Sequence, residues 1–149
     1  MQLSRRADYA LRAVIDLAVE SASGRVQLRE IAARQAVPEK YLEQLLRLLK
    51  TAGVVHATRG SRGGYQLARP ASELSLLTVF EAVEGPVSVE DEGAAAPGAG
   101  AAPSGGAGVV RLWWVEITDG LRRELSRVTV AELARRYQQA RRSQDDWII

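Results

Sequence analysis

The stretch from Tyr41 to Tyr65 narrows the fold of this chain more than any other. Leu42, Leu45, Leu46 and Leu49 recur three and four apart, which puts them on one side of a helix over about 39–52, and Lys40, Glu43, Gln44, Arg47 and Lys50 take the other side. Pro38 stands at or beside the first helical position, where its missing N–H costs nothing. Gly53 stops the helix. Val54 to Thr58 and Tyr65 to Ala68 then read as two strands around Arg59-Gly60-Ser61-Arg62-Gly63-Gly64, a hairpin whose loop is too long for a two-residue turn. The leucines have to be buried against other helices, and the arginine-tipped hairpin has to project from them.

Suitable partners flank this stretch. Ser4 is placed to cap a helix over about 5–21, whose Ala7, Ala10, Leu11, Val14, Leu17 and Ala18 repeat at helical spacing until Gly24. Val26 and Leu28 alternate like a short strand, and Arg29 to Gln35 reads as a brief helix turning Ile31 and Ala32 inward. Downstream, Ser75 starts a helix over about 76–84 that Gly85-Pro86 ends. Gly93 to Gly108 contains only Gly, Ala, Pro and Ser, with almost nothing to bury, and is expected to be a flexible loop. Val110, Trp114, Ile117, Leu121 and Leu125 then mark a helix of about 109–126. Thr129 and Glu132 form a capping box for a last helix carrying Val130, Leu133, Ala134 and Tyr137.

A chain of 149 residues, 46% hydrophobic, can bury one core, so one small globular domain with an oligomerising extension is expected. The net charge of +2 hides an asymmetry: residues 1–70 hold 12 Lys/Arg against 6 Asp/Glu, whereas 71–149 hold 8 against 12. A polyanionic partner is therefore expected at the first half. The sequence has no cysteine, which excludes disulfides, thiolate metal sites and cysteine nucleophiles. Arg5, Arg6, Arg12 and Asp16 interrupt the N-terminal apolar positions as no signal peptide would allow, and no apolar run approaches a membrane span. A cytoplasmic protein without membrane contact is expected.

The pattern predicts a mainly α fold with a small β-hairpin wing: a winged helix-turn-helix head over 1–70, a connecting helix over 71–92, the loop at 93–108, and a dimerisation helix with a C-terminal helix over 109–149. On the reading helix, Glu43 is suited to accept from cytosine N4, Gln44 to pair with adenine N6/N7, and Lys40 and Arg47 to reach guanine or phosphate. An ordinary solvated helix face would carry similar residues, and the adjoining wing favours DNA. Arg59, Ser61 and Arg62 form a tip suited to a narrow, electronegative minor groove, with Gly60, Gly63 and Gly64 permitting close backbone approach. Arg5, Arg6, Tyr9 and Tyr41 are expected at phosphates, the tyrosines also partly in the core.

The stripe of Trp114, Ile117, Leu121 and Leu125 is expected to be a dimer seam, and for Trp113, Trp114 and Trp147 a place in the core or the dimer seam is expected ahead of a ligand pocket. Trp147-Ile148-Ile149 is an unusually apolar tail that suits docking on the body or on a partner subunit. An enzyme would need machinery the sequence lacks: it has one histidine, no phosphate-binding glycine motif, and only carboxylate pairs such as Asp91/Glu92 and Asp145/Asp146 in predicted loops. The alternative is a winged-helix dimer that binds proteins and not DNA, which would show no steep salt dependence.

Met1-Gln2-Leu3-Ser4, Asp8-Tyr9-Ala10, Glu30-Ile31-Ala32, Tyr41-Leu42-Glu43-Gln44-Leu45, Arg59-Gly60-Ser61-Arg62-Gly63-Gly64-Tyr65 and Ala82-Val83-Glu84-Gly85 stand in the order found in bacterial transcription regulators similar to IscR and CymR. Trp114, Leu121, Leu125 and Val128-Thr129-Val130-Ala131-Glu132-Leu133 resemble that family's dimerisation region. The resemblance spans nearly all of the chain outside 87–109. It implies a homodimer that binds double-stranded DNA at a partly palindromic operator and regulates transcription, more often as a repressor. Many members hold an iron–sulfur cluster through three cysteines and a fourth ligand, whereas this chain has the Gly/Ala/Pro/Ser segment there, Arg111 near the family histidine's place, and its one histidine, His56, in a wing strand. Ala95, Ala101 and Ala107 stand six apart, close to the spacing of those cysteines; replacement of cysteine and chance both remain open, with the alanine content favouring chance. No cofactor is expected, and regulation by a small molecule or a protein effector is.

Overall fold

The computed structural model describes residues 2–88 and 105–145. The elements run α1 (Arg5–Glu20), α2 (Leu28–Gln35), α3 (Glu39–Thr51), β1 (Val55–Thr58), β2 (Gly64–Leu67), α4 (Leu76–Glu84), α5 (Gly105–Arg127) and α6 (Val130–Asp145), with single 3₁₀ turns at Ser21–Ser23 and Ala71–Glu73. Ser4 caps α1 by accepting from the Ala7 N–H at 3.0 Å, Ser75 caps α4 through the Thr78 N–H, and Thr129 caps α6 through the Glu132 N–H.

Two elements depart from the sequence reading. Leu28 opens α2 and belongs to no strand, because the Glu30 carboxylate accepts from the Gln27 N–H at 2.8 Å and starts the helix one residue earlier. The run taken as loop up to residue 108 is helical from Gly105, so α5 begins within the glycine-rich segment. Residues 93–104, and with them Ala95 and Ala101, lie outside the described residues, as do Asp91, Glu92, Asp146 and Trp147 to Ile149. Asp145 is the last residue of α6 and not part of a loop.

α1 is the hub: α2, α3, α4, α6 and β2 all pack on it. The core is Val14 and Leu17 of α1, Ile31 of α2, Leu42, Leu45, Leu46 and Leu49 of α3, with Val54, Leu74, Val79 and Val130, all at most 1% exposed. The leucines fall inward as their spacing requires. α2 ends at Ala36, which adopts the left-handed conformation (φ 52°), and Pro38 caps α3 with φ −60°. The β1–β2 hairpin is antiparallel, pairing Val55 with Leu67 and Thr58 with Gly64, and Val26 adds one bridge to Tyr65 through hydrogen bonds of 2.9 and 2.7 Å. This third edge ties the segment before α2 to the hairpin. Among the described residues no helix is long and apolar enough to cross a membrane.

One polar group is buried in the head. Asp16, 1% exposed, accepts from Arg34 at 2.9 and 2.8 Å and from the Gln35 amide at 2.9 Å, and that amide lies 3.3 Å from the Tyr137 hydroxyl. The network joins α1, the end of α2 and α6 beneath the turn that aims α3. The hydrogen bond to Asp16 holds the Arg34 guanidinium charged more firmly than an arginine in water, although desolvation acts against it.

Candidate nucleic-acid interface

α3 presents Lys40, Glu43, Gln44 and Arg47 to solvent, all exposed, while its opposite side is sealed into the core. Arg47 pairs with Glu43 one turn away at 3.4 Å, a loose contact between two largely hydrated side chains that a competing partner can open at little cost. Arg6, Tyr41, Gln44 and Arg47 wall one cleft of about 260 Å³ between the start of α1 and α3. Two predicted phosphate residues are thus beside two predicted reading residues.

The tyrosines hold that cleft in shape. Tyr41 packs edge-on against Tyr9, with ring centroids 5.7 Å apart at 79°, and Arg12 lies over the Tyr9 ring while chelated by Asp8 at 3.0 and 2.6 Å. Both rings are half-buried, the partly core position expected for them. Arg5 lies exposed in the shallow surface that Tyr9 also lines. Arg6 is less free than its exposure suggests: it donates to the Val83 carbonyl at 3.0 Å, at the end of α4, beside a Ser4–Glu84 hydrogen bond.

The hairpin carries Arg59, Ser61 and Arg62 exposed at its tip. The turn closes through a Gly63 N–H to Gly60 carbonyl bond of 2.9 Å. Two of its glycines are required by the chain itself, not by an approaching partner. A Cβ at Gly63 would lie 2.3 Å from the Thr58 carbonyl oxygen, and one at Gly64, with φ 150°, would lie 2.7 Å from the Val26 carbonyl oxygen. Only at Gly60, with φ 107° and open space at the Cβ position, does the backbone leave room outward.

The four residues read as a dimer seam fall into two pairs. Trp114 and Ile117 are 46% and 45% exposed and adjoin Val109, Val110, Leu112 and Trp113, each more than half exposed, so the first half of α5 is apolar over a wide arc. Leu121 and Leu125 are half-buried instead. They wall a groove of about 410 Å³ with Leu3, Leu11, Leu76 and Phe80 of their own chain, because the second half of α5 leans on α4, where Arg122 pairs with Glu81 at 2.5 Å.

Sequence reasoning passed over two basic residues beside the wing. Arg25 reaches the Arg62 carbonyl at 3.5 Å, and Arg29, exposed on the first turn of α2, faces the hairpin across a groove. The Val26–Tyr65 bridge brings them there, and the only sequence signal was the Val26/Leu28 alternation.

Three helices around a buried leucine stripe, the third preceded by a tight turn and followed by a hairpin, define a winged helix-turn-helix, here extended by a long apolar helix. The chain belongs to the Rrf2 family, described as iron-dependent transcriptional regulators, which it matches over residues 3–136. It is a DNA-binding transcription regulator. It is 33% identical over 138 residues to protein rrf2 of Nitratidesulfovibrio vulgaris (91% of this chain, 88% of that protein) and 42% identical over 115 residues to the transcriptional regulator IscR of Cereibacter sphaeroides (76% and 74%). Among solved structures, IscR of T. potens superposes with a TM-score of 0.75 at 27% identity, over 94% of this chain and 90% of that one. The global cysteine regulator CymR of B. subtilis does so with 0.70 at 30% identity, over 90% and 96%.

The family description names iron, and the donor set here does not fit a cluster held by thiolates. There is no cysteine in the sequence, and His56 sits on β1 opposite Gln66. Among the described residues no three His, Asp or Glu side chains gather in a metal-binding arrangement.

Proposed function

We propose that this chain acts as a homodimeric, iron–sulfur-free repressor that reads a partly palindromic operator in the cytoplasm. The cleft shared by Arg6, Tyr41, Gln44 and Arg47 carries the reading, because guanidinium, phenol and amide groups suited to phosphates and base edges lie together on one face of the head. In this scheme Glu43 and Gln44 read base edges in the major groove, Lys40 and Arg47 reach guanine or phosphate, and Arg5, Arg6 and Tyr41 fix the register on phosphates. Arg59, Ser61 and Arg62 enter the adjacent minor groove.

Pairing of two heads falls to the exposed apolar arc of α5 around Trp114 and Ile117, with Leu121 and Leu125 at its margin. A head of this size cannot cover that arc alone. Two heads related by a two-fold axis require two half-sites in the DNA. With no thiolate to hold a cluster, control falls to a small molecule or a protein acting at the dimer core.

The test is fluorescence anisotropy with iron-free protein and duplex DNA at increasing salt. Phosphate contacts predict a steep linear fall of log K with log salt. Binding that ignores salt, or that requires added iron and sulfide, refutes the proposal.

A further inference from the structure

The hairpin and the start of α2 border a shallow, open groove, with Gln27 and Arg29 on one side and Thr58, Ser61 and Gly63 on the other. Its lining carries a guanidinium, an amide and two hydroxyl-bearing residues and no carboxylate. The nearest acid on the first turn of α2, Glu30, is drawn onto the Gln27 N–H. Arg25 stands at the edge of this groove, its side chain reaching over to the Arg62 carbonyl and its Cβ next to the position a Gly64 side chain would take.

The groove keeps its shape because Val26, between the two arginines, is hydrogen-bonded in both directions to Tyr65. Arg29 in the lining and Arg25 at its edge therefore bring two positive charges beside the wing, whose tip carries Arg59 and Arg62 exposed. Among the described residues none of the four forms an ion pair, whereas Arg12, Arg34, Arg47 and Arg122, for instance, each do. Cations left without an internal counter-charge favour an anion bound beside them.

We infer that this groove seats a backbone phosphate of the DNA strand bordering the minor groove that the wing enters. Arg29 makes the contact, and Arg25 reinforces it while bracing the wing tip. The inference rests on the DNA reading above. It adds a site outside the reading helix and the wing tip, so that segment 25–29 clamps the backbone from the far side of the wing.

The experiment measures operator affinity and its salt slope for the wild type, Arg29→Ala and Arg25→Ala, each first shown by circular dichroism to melt like the wild type. Arg29→Ala should weaken binding about 5- to 30-fold at 0.15 M salt and flatten the slope by about one unit, with a smaller loss for Arg25→Ala. The duplexes are then remade with single neutral methylphosphonate linkages at successive positions along the minor-groove border. At one position the wild type should fall to the affinity of Arg29→Ala, and the variant should lose nothing further. If Arg29→Ala binds like the wild type, or if its deficit persists equally at every neutral position, the phosphate seat is wrong while the DNA reading stands. Failure of the wild type to bind any duplex removes both.

Discussion

Removing either partner of the buried Asp16–Arg34 pair should destabilise the head, but unequally, and burial sets the order. Asp16 is 1% exposed and receives three hydrogen bonds, two of them from Arg34. The Arg34 side chain is 33% exposed. In Asp16→Ala the freed guanidinium can rehydrate through its open side, so the cost is mainly the missing charge-assisted bonds and a small void, about 2–3 kcal/mol. In Arg34→Ala the carboxylate keeps only the Gln35 amide as a partner. A buried charge stripped of its partner costs about 3–5 kcal/mol. The double alanine variant should cost less than the sum, because each single change already abolishes the shared interaction.

Urea unfolding followed by circular dichroism at one fixed chain concentration reads the order of the two costs. A cost for Asp16→Ala equal to or above that of Arg34→Ala would refute the reasoning.

Glu43→Ala should relax the preference at one base pair by about 1–3 kcal/mol of discrimination, read from competition with single-base operator variants. Arg59→Ala or Arg62→Ala should weaken binding to all sequences and flatten the salt slope by about one unit for each phosphate that is no longer neutralised. Trp114→Asp or Ile117→Asp, placing a charge on the apolar arc of α5, should give a monomer in sedimentation at micromolar concentration; an unchanged dimer would move the seam elsewhere. Ala36→Gly should stabilise the head by about 0.5–1 kcal/mol, since the left-handed conformation at φ 52° penalises a Cβ, and a fall in Tm would mean that the conformation is not strained.

Where local pattern decides structure, the sequence was readable. The leucine stripe of α3, the serine and threonine caps, and the two hairpin strands all follow from spacing within a few residues. What depended on distant parts of the chain was not. Val26 joins the wing through a single pair with Tyr65, and alternation alone suggested a strand that would also contain Leu28. The Asp16 network draws on α1, α2 and α6, and no spacing relates its members.

The apolar spacing of α5 identified a side to be covered and not what covers it, so Leu121 and Leu125, which lean on α4, read the same as Trp114 and Ile117. Glycine has a poor helical propensity, which concealed the start of α5 at Gly105. For the candidate interface, the reading face and the wing tip were visible as exposed polar positions on predicted elements. Arg25 and Arg29 were missed because their place beside the wing depends on the bridge.

Selection of duplexes from a random pool by the purified, iron-free protein tests the central claim most directly. The account predicts enrichment of one motif made of two related half-sites, bound with an affinity that falls steeply with salt and does not change on adding iron and sulfide. A pool that stays random, or enrichment only after a cluster has been reconstituted, would contradict it.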